Sequence, residues 1–536
     1  MGAFFIVKCH PKIMTDFNQL NHLRHSCAHL LAAAVLKLYP NALPTIGPSI
    51  QDGFYYDFDF GDTKISTEDL PKIEQTMHEL VKDWQEFTKQ DVASDQAENH
   101  FNNNPYKLEL IEEFTSQNQP LTFYKSGEFV DLCRGGHCLR PYKDLKHFKL
   151  LSIAGAYWRG NEKNKMLTRI YGTCYPNATG LAEHLARLEE AQQRDHKKLG
   201  KELDLFVFSE TVGKGLPLFT PKGSTIRREL ERFITDEELK RGYVHVYTPD
   251  IASLNLYKKS GHYPYYKDSM YAPITIEDQE FMLRPMTCPH HFELYSSHKH
   301  SYKELPIRIA ELAKLYRFEK SGELMGLQRV RTFCLADAHI IARPDQAYDE
   351  INSCLDLIDF IAQTFGLQKG TNYSYRLSLG NRDNDQKYFK DDKSWDFAEN
   401  TLRQVLQDRK DPFIEAPDEA AFYGPKIDIQ MKNVHGKEDT AFTVQYDFVM
   451  PTRFNLTYIN TNGQDEQPIV IHRSSIGAIE RIMAFLIEHF AGNFPLWLSP
   501  IQVKILPISD KVEQYAQQIF QTLKDSNIRT ELDTNP

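Results

Sequence analysis

The sequence predicts an α+β protein of about three domains, and three observations point there. A chain of 536 residues exceeds what one hydrophobic core can serve. Strand-like alternation and short apolar runs recur at RVRTFCLADAHIIA (329–342), PIVIH (468–472) and IQVKILPIS (501–509). Helical, amphipathic segments separate them, as in residues 225–240 and 510–527.

Composition narrows the class. Hydrophobic residues make up 41% and charged residues 25%, the balance of an ordinary globular chain. No apolar run approaches the roughly 18–20 residues that a membrane-spanning helix needs, so no membrane role is expected. The opening MGAFFIVKCHPKIM holds too short an apolar run for a signal peptide. The eight cysteines are scattered without a disulfide framework, which favours a cytoplasmic setting. The net charge is −10, so a polyanionic partner would have to use local basic patches.

Taken in order, residues 1–14 read as a leader, with Met14 as a second possible start. Residues 15–180 form a helix-rich segment with strands. Residues 181–202 are charged, with apolar positions at 181, 185 and 188, and predict a linker helix. Residues 203–498 make a long stretch with many strand-like alternations, closed by the two prolines of NFPLWLSP (493–500). Residues 499–536 then begin a βαβ unit. That piece is too short for a free domain, which anticipates a longer chain or an incomplete sheet with an open edge.

The chemistry concentrates at Cys288 in RPMTCPHH (284–291), His339 in RVRTFCLADAHII (329–341) and His472 in IVIHRSSIGAIERIMAFLIEH (469–489). One thiolate and two imidazoles are the ligand number and type of a catalytic zinc with an open position. The ligands lie too far apart for spacing to reveal a metal, so the surroundings carry the argument. Read as a strand, residues 329–340 place Arg329, Arg331, Phe333, Leu335, Asp337 and His339 on one face and small or apolar residues on the other. That face suits a binding floor, and also a solvated face with a salt bridge. Arg317 and Glu319 precede a glycine-bearing loop, a placement suited to gripping phosphate or carboxylate. His472 is expected to end a strand. The next helix should carry Ile476, Ile479, Ile482, Met483, Leu486, Ile487 and Phe490 on one stripe, with Arg481 nearly opposite.

A second cluster lies near the start. A helix from about Phe17 has its apolar stripe at Leu20, Leu23, Cys27, Leu31, Ala34 and Leu38, with His25 and His29 four apart on the opposite face. DLCRGGHCLRP (131–141) adds Cys133 and His137, also four apart. By chemistry alone these four could close a zinc site.

Together these segments resemble the signature motifs of class II aminoacyl-tRNA synthetases, and most closely the threonyl-tRNA synthetase family. Motif 1 corresponds to residues 225–251, a long helix then a strand expected to end at Pro249, motif 2 to Arg317–Phe333 and motif 3 to GAIERIMAF with Arg481. SGHYPYYKDSMY (260–271), AFYGPKIDI (421–429) and GAYWRGNEKNKMLTRIYGTCY (155–175) are also similar to that family, and the resemblance spans about residues 20–530. It implies a class II antiparallel sheet flanked by helices over 203–498. An N-terminal α+β editing domain would fill 15–180, and an incomplete C-terminal α/β anticodon-binding domain 499–536. The family's ubiquitin-like N-terminal domain has no counterpart here.

The resemblance also implies roles. ATP, with Mg²⁺, would be held by Arg317 on the α-phosphate, Glu319 on the adenine amino group, Phe333 against the ring, and Arg329 and Arg481. Arg317 and Arg481 would be the catalytic pair. L-threonine would meet Asp337, Tyr423, Gln445 and one zinc on Cys288, His339 and His472. Valine has no hydroxyl to offer such a metal, but serine does, so a second site must remove serine. In the family that site works without zinc, which here implicates His25, His29, Cys133, His137, Asp131 and Lys107, with Tyr56 in support. Two positions depart from the pattern: Leu335 and Thr440 stand where the family carries glutamine. The product would be threonyl-tRNA(Thr), made by a homodimer joined through motif 1. The competing reading is a tRNA-binding or regulatory protein, or a deacylase, on a truncated synthetase scaffold.

Overall fold

The computed structural model describes residues 11–434 and 436–533. The leader expected over 1–14 lies mostly outside them, and its last residues, 11–14, already belong to a helix. Two compact units form, divided between Leu188 and Glu189.

The first unit is built on α1 (Pro11–Leu38), which is already helical six residues before Phe17. Three long antiparallel strands make its main sheet: β1 (Gly53–Asp59) pairs with β6 (Met166–Tyr175), which pairs with β5 (His147–Tyr157). Between them in sequence lie α2 (Leu70–Leu80), β2 (Thr88–Val92), α3 (Pro105–Ser116), β3 (Leu121–Ser126) and β4 (Phe129–Leu132). β2, β3 and β4 form a separate antiparallel sheet. α1 packs on α2, β1 and β6, so Cys27, Ala28, Leu30, Leu31, Ala32, Ala34 and Val35 are all buried. The single apolar stripe read from the sequence is therefore too narrow. Over 26–35 the helix is enclosed on all sides, and His29, expected on the face opposite the stripe, is only 2% exposed.

The linker helix is two helices. α4 (Ala178–Arg194) and α5 (His196–Glu202) are separated by Asp195, whose non-helical backbone and side-chain bond to the Lys197 amide cap the second.

The second unit centres on an eight-stranded sheet. In chain order it contains α6 (Pro221–Lys240), β7 (Val244–His245), α7 (Cys288–Ser296), β8 (Ile307–Tyr316), β9 (Thr332–Ala342) and α8 (Ala347–Thr364). Then follow β10 (Tyr373–Ser378), α9 (Asp392–Asp408), β11 (Phe413–Ala416), β12 (Lys426–Lys432), β13 (Glu438–Asp447), β14 (Ile469–Ala478) and α10 (Ile479–His489). The strand order is β7-β8-β9-β14-β13-β12-β10-β11, and the central pairs from β8 to β10 are all antiparallel. α6, α8, α9 and α10 bury their apolar residues in one core with the sheet. Past the prolines, β15 (Val503–Ile505), α11 (Glu513–Asp525) and β16 (Thr530–Leu532) form the expected βαβ unit, with its two strands parallel.

Three local expectations change. β9 begins at Thr332, so Arg329 and Arg331 belong to the loop after β8; the alternation holds only from Phe333 onward. His472 lies inside β14, not at its end, and Ile476 is a strand residue. β14 is buried along almost its whole length, and a strand covered on both faces shows no alternation to mark its end. The strand of motif 1 is only Val244–His245 and does not reach Pro249.

Candidate functional site

Cys288, His339 and His472 come together in the second unit. Cys288 is the first residue of α7, and His339 and His472 face each other in register on β9 and β14. Their rings meet edge-on at 4.6 Å between centroids. The three ligand atoms lie within 4.8 Å of one another, and all three residues are buried. Burial raises the Cys288 thiol well above its ordinary value and, with His472 and His291 nearby, drives the His339 imidazole well down. Burial therefore favours a neutral His339 imidazole, the form that ligates a metal.

The far side of each imidazole is occupied. His472 Nε2 is 2.7 Å from Asp447 Oδ2, and the amides of Val449 and Met450 donate to the other oxygen at 2.8 and 2.9 Å. His339 Nδ1 is 2.8 Å from His291 Nδ1, and His291 Nε2 is 3.2 Å from Glu311 Oε2. Arg284 and Thr248 donate to the same carboxylate at 2.9 and 2.7 Å. Burial works to raise Glu311, but its bonds to His291, Thr248 and Arg284 win and hold it down at about 2. Sequence reading missed His291, Glu311 and Asp447. Two of them were signalled: His291 is one helical turn beyond Cys288, and Asp447 shares a strand face with Gln445.

Around the triad, Asp337 faces the same side of β9, with Oδ2 4.0 Å from His339 Nε2, and burial raises its carboxyl. Tyr423 stacks on His472 at 5.1 Å and donates to Gln445 Oε1 at 2.5 Å, while Gln445 pairs with His472 across the sheet. Gly424 lets this segment approach the sheet: with φ of +158°, an added Cβ would lie 1.8 Å from the Tyr446 carbonyl oxygen.

A cavity of about 360 Å³ opens beside the sheet, with Arg317, Glu319, Arg329, Arg481 and Thr440 in its walls. Sequence reading did not single out Asn433, Lys437 and Asp439, which also line it. Phe333 is not in the lining; the Arg317 guanidinium lies 5.2 Å over its ring. Arg329 holds Glu319 Oε2 at 2.9 Å. Arg317 and Arg481 bond only to carbonyl oxygens: Arg317 to Pro285, Arg481 to Gln328 and Thr440. Burial pushes both guanidinium groups below their ordinary value, and they depress or are depressed by neighbouring cations. Among the described residues neither has a carboxylate within ion-pair distance, so the cleft is poised to receive an anion.

The first unit brings the second cluster together. His25 Nε2 and His137 Nε2 lie 3.1 and 3.3 Å from Cys133 Sγ, and the ligand atoms of His25, His29, Cys133 and His137 all fall within 4.8 Å of one another. The CRGGH loop can present Cys133 and His137 together because Gly135 and Gly136 adopt φ of +97° and +83°. His25 Nδ1 donates to the Gly47 carbonyl at 3.2 Å, which leaves Nε2 as the basic nitrogen. Behind them Asp131 binds Lys107 at 2.5 Å and Tyr56 at 2.6 Å, with His29 at 3.8 Å. Burial lowers His25, His29 and His137 and lifts the Cys133 thiol to about 11. At neutral pH the cluster holds neutral imidazoles and a protonated thiol, which suits water activation better than thiolate attack. A cavity of about 700 Å³ is lined by His25, His29, Tyr56, Lys107, Asp131 and Cys133.

Comparison with known proteins adds a separate line. Residues 271–490 match the tRNA synthetase class II core domain (G, H, P, S and T). Residues 121–171 match the threonyl and alanyl tRNA synthetase second additional domain. The threonine–tRNA ligase of Acholeplasma laidlawii is 49% identical over 526 residues, covering 98% of this chain and 80% of its own length. That of Streptococcus thermophilus is 49% identical over 513 residues, covering 95% of this chain and 78% of its own. Among solved structures, the RNA binding domain of threonyl-tRNA synthetase from Cryptosporidium parvum superposes with a TM-score of 0.60 at 36% identity, over 64% of this chain and 84% of that one. A putative threonyl-tRNA synthetase from Aeropyrum pernix gives 0.58 at 31%, over 64% and 79%.

Proposed function

The chain belongs to the threonine–tRNA ligase family, and on that premise we propose how its residues divide the work. It is an ATP-dependent ligase of threonine to tRNA(Thr), with activation in the unit that begins at Glu189 and removal of mischarged serine in the unit that ends at Leu188.

In activation, Arg317 and Arg481 grip the ATP phosphates in the cleft they line; Mg²⁺, when bound with ATP, would add charge neutralisation. Glu319 reads the adenine amino group through Oε1, because Arg329 already engages Oε2. Asp337, Tyr423 and Gln445 orient the amino acid. Its carboxylate oxygen bonds to the α-phosphorus as the bond to the β-phosphate oxygen breaks and pyrophosphate leaves. A ribose hydroxyl at the tRNA 3′ end then bonds to the threonyl carbonyl carbon, and AMP leaves. Positioning and charge neutralisation carry both steps. Phe333 has a smaller part than the resemblance implies, since Arg317 covers its ring.

The residues fit a zinc ion: one sulfur and two imidazole nitrogens converge, and the other nitrogen of each imidazole is held by the protein. Cys288, His339 and His472 would hold it, and it would supply Lewis acidity and an open position suited to an amino group beside a hydroxyl. Asp337 would accept the hydroxyl proton and so distinguish threonine from valine. In the first unit, His25 Nε2 activates water against a seryl ester, and Lys107, Asp131 and Tyr56 hold the 3′ end.

A second copy of the chain fits the same reading. Leu239, Val244 and Ile251 are about half exposed and Tyr247 is 96% exposed along motif 1, an apolar face suited to a second copy. No helix among the described residues is long and apolar enough to cross a membrane.

The convergence of the three buried ligand atoms carries this proposal. Threonine-dependent exchange of pyrophosphate into ATP tests it without tRNA. The parent should exchange and contain one zinc per chain; Cys288→Ser should lose both. Freshly purified, chelator-free parent without metal, or without exchange, would reject it.

A further inference from the structure

The two histidines of the triad are held in different ways. Asp447 only accepts, so it fixes the proton on His472 Nε2 and leaves Nδ1 as the lone-pair nitrogen. His339 has no such partner. Its Nδ1 meets another imidazole nitrogen, His291 Nδ1, at 2.8 Å, and exactly one of the two can carry the proton. If His339 took the bare Nδ1, its proton would sit on Nε2, the nitrogen on the Asp337 side of the ring, and no lone pair would remain there.

The next link decides the matter. His291 Nε2 lies 3.2 Å from Glu311 Oε2, and the carboxylate demands a proton on it. With that proton on Nε2, the His291 ring offers Nδ1 as the acceptor, so His339 donates and its own Nε2 is bare. Glu311 has its own counter-charge. Arg284 Nη1 stands 2.9 Å from Oε1, and His291, Glu311 and Arg284 are each no more than 2% exposed. The relay is also tied to the first ligand. His291 lies one turn after Cys288 on α7, so one helix delivers the sulfur and the group that orients a nitrogen.

We propose that His291 and Glu311 are positioning residues for the metal: the chain Glu311–His291–His339 fixes the ring tautomer that makes His339 Nε2 a ligand. This rests on the zinc reading above and adds to it the residues that prepare the site before metal arrives.

Zinc affinity of the full chain, by chelator competition, and the visible spectrum of the Co²⁺-substituted protein test it. His291→Phe keeps the ring shape and removes the acceptor. It should weaken zinc binding about 10- to 100-fold and shift the cobalt bands. His291→Asn, whose Oδ1 can accept where Nδ1 did, should recover most of the affinity. A folded His291→Phe protein with parental affinity and an unchanged cobalt spectrum would overturn the relay while leaving the zinc site intact. A parent that binds no metal would instead sink the reading beneath it. Should His291→Phe fail to fold, ¹⁵N spectra of histidine-labelled, metal-free parent decide: His339 is expected with its proton on Nδ1, and a proton on Nε2 overturns the proposal.

Discussion

Removing the Lys107 ammonium should damage the first unit more than most single substitutions. Lys107 and Asp131 are 2.5 Å apart, with side chains only 2% and 4% exposed. In Lys107→Met the Asp131 carboxylate would keep the Tyr56 hydroxyl at 2.6 Å and the Leu132 amide at 2.8 Å, but no counter-charge. Stranding a buried charge costs about 3–5 kcal/mol. In a unit of this size each kcal/mol moves the midpoint by about 2–4 °C, so the melting transition should fall by about 6–20 °C. Differential scanning calorimetry of the full chain reads this directly. Lys107→Met combined with Asp131→Asn removes both charges and should recover most of the lost stability. Seryl-tRNA hydrolysis should stay impaired in both, because the groups that hold the 3′ end are gone. If Lys107→Met melted within about 2 °C of the parent, the pair would not be the buried linchpin inferred from these distances.

Two further outcomes are expected. Burial, with His472 and Arg453 nearby, lowers buried His262 to about 3, while an unfolded histidine titrates near 6.5. Between those values the unfolded chain binds the extra proton, so stability rises with pH across the window and is lost as pH falls below about 6.5. At pH 4.5 the loss is about 3 kcal/mol at most, and denaturant midpoints of His262→Asn, whose Nδ2 can replace the ring N–H that donates to Ser260 Oγ, should be flatter with pH; parallel slopes would refute this. In the first unit, His25→Ala and Cys133→Ala should lower seryl-tRNA hydrolysis by about 100-fold or more while threonylation persists; deacylation at the parental rate would remove the editing assignment.

How far the sequence reached depends on the range of the interaction concerned. The class II architecture and the Cys288–His339–His472 set were legible through the resemblance of their motifs, and the βαβ ending and the first-unit cluster through local patterns. Period-two alternation marked β9 from Phe333, and i,i+4 spacing paired His25 with His29 and Cys133 with His137. Where packing is two-sided, that pattern vanishes. Buried β14 gave no signal for its true end, and enclosed α1 hid the fact that His29 is buried. Tertiary structure alone decided which groups share a proton. Glu311, His291 and His339 come from β8, α7 and β9, and only the close packing of those elements sets the 2.8 and 3.2 Å contacts between them. A residue's type can announce that it could bind a metal; the orientation of its ring nitrogens depends on partners that chain order does not bring near.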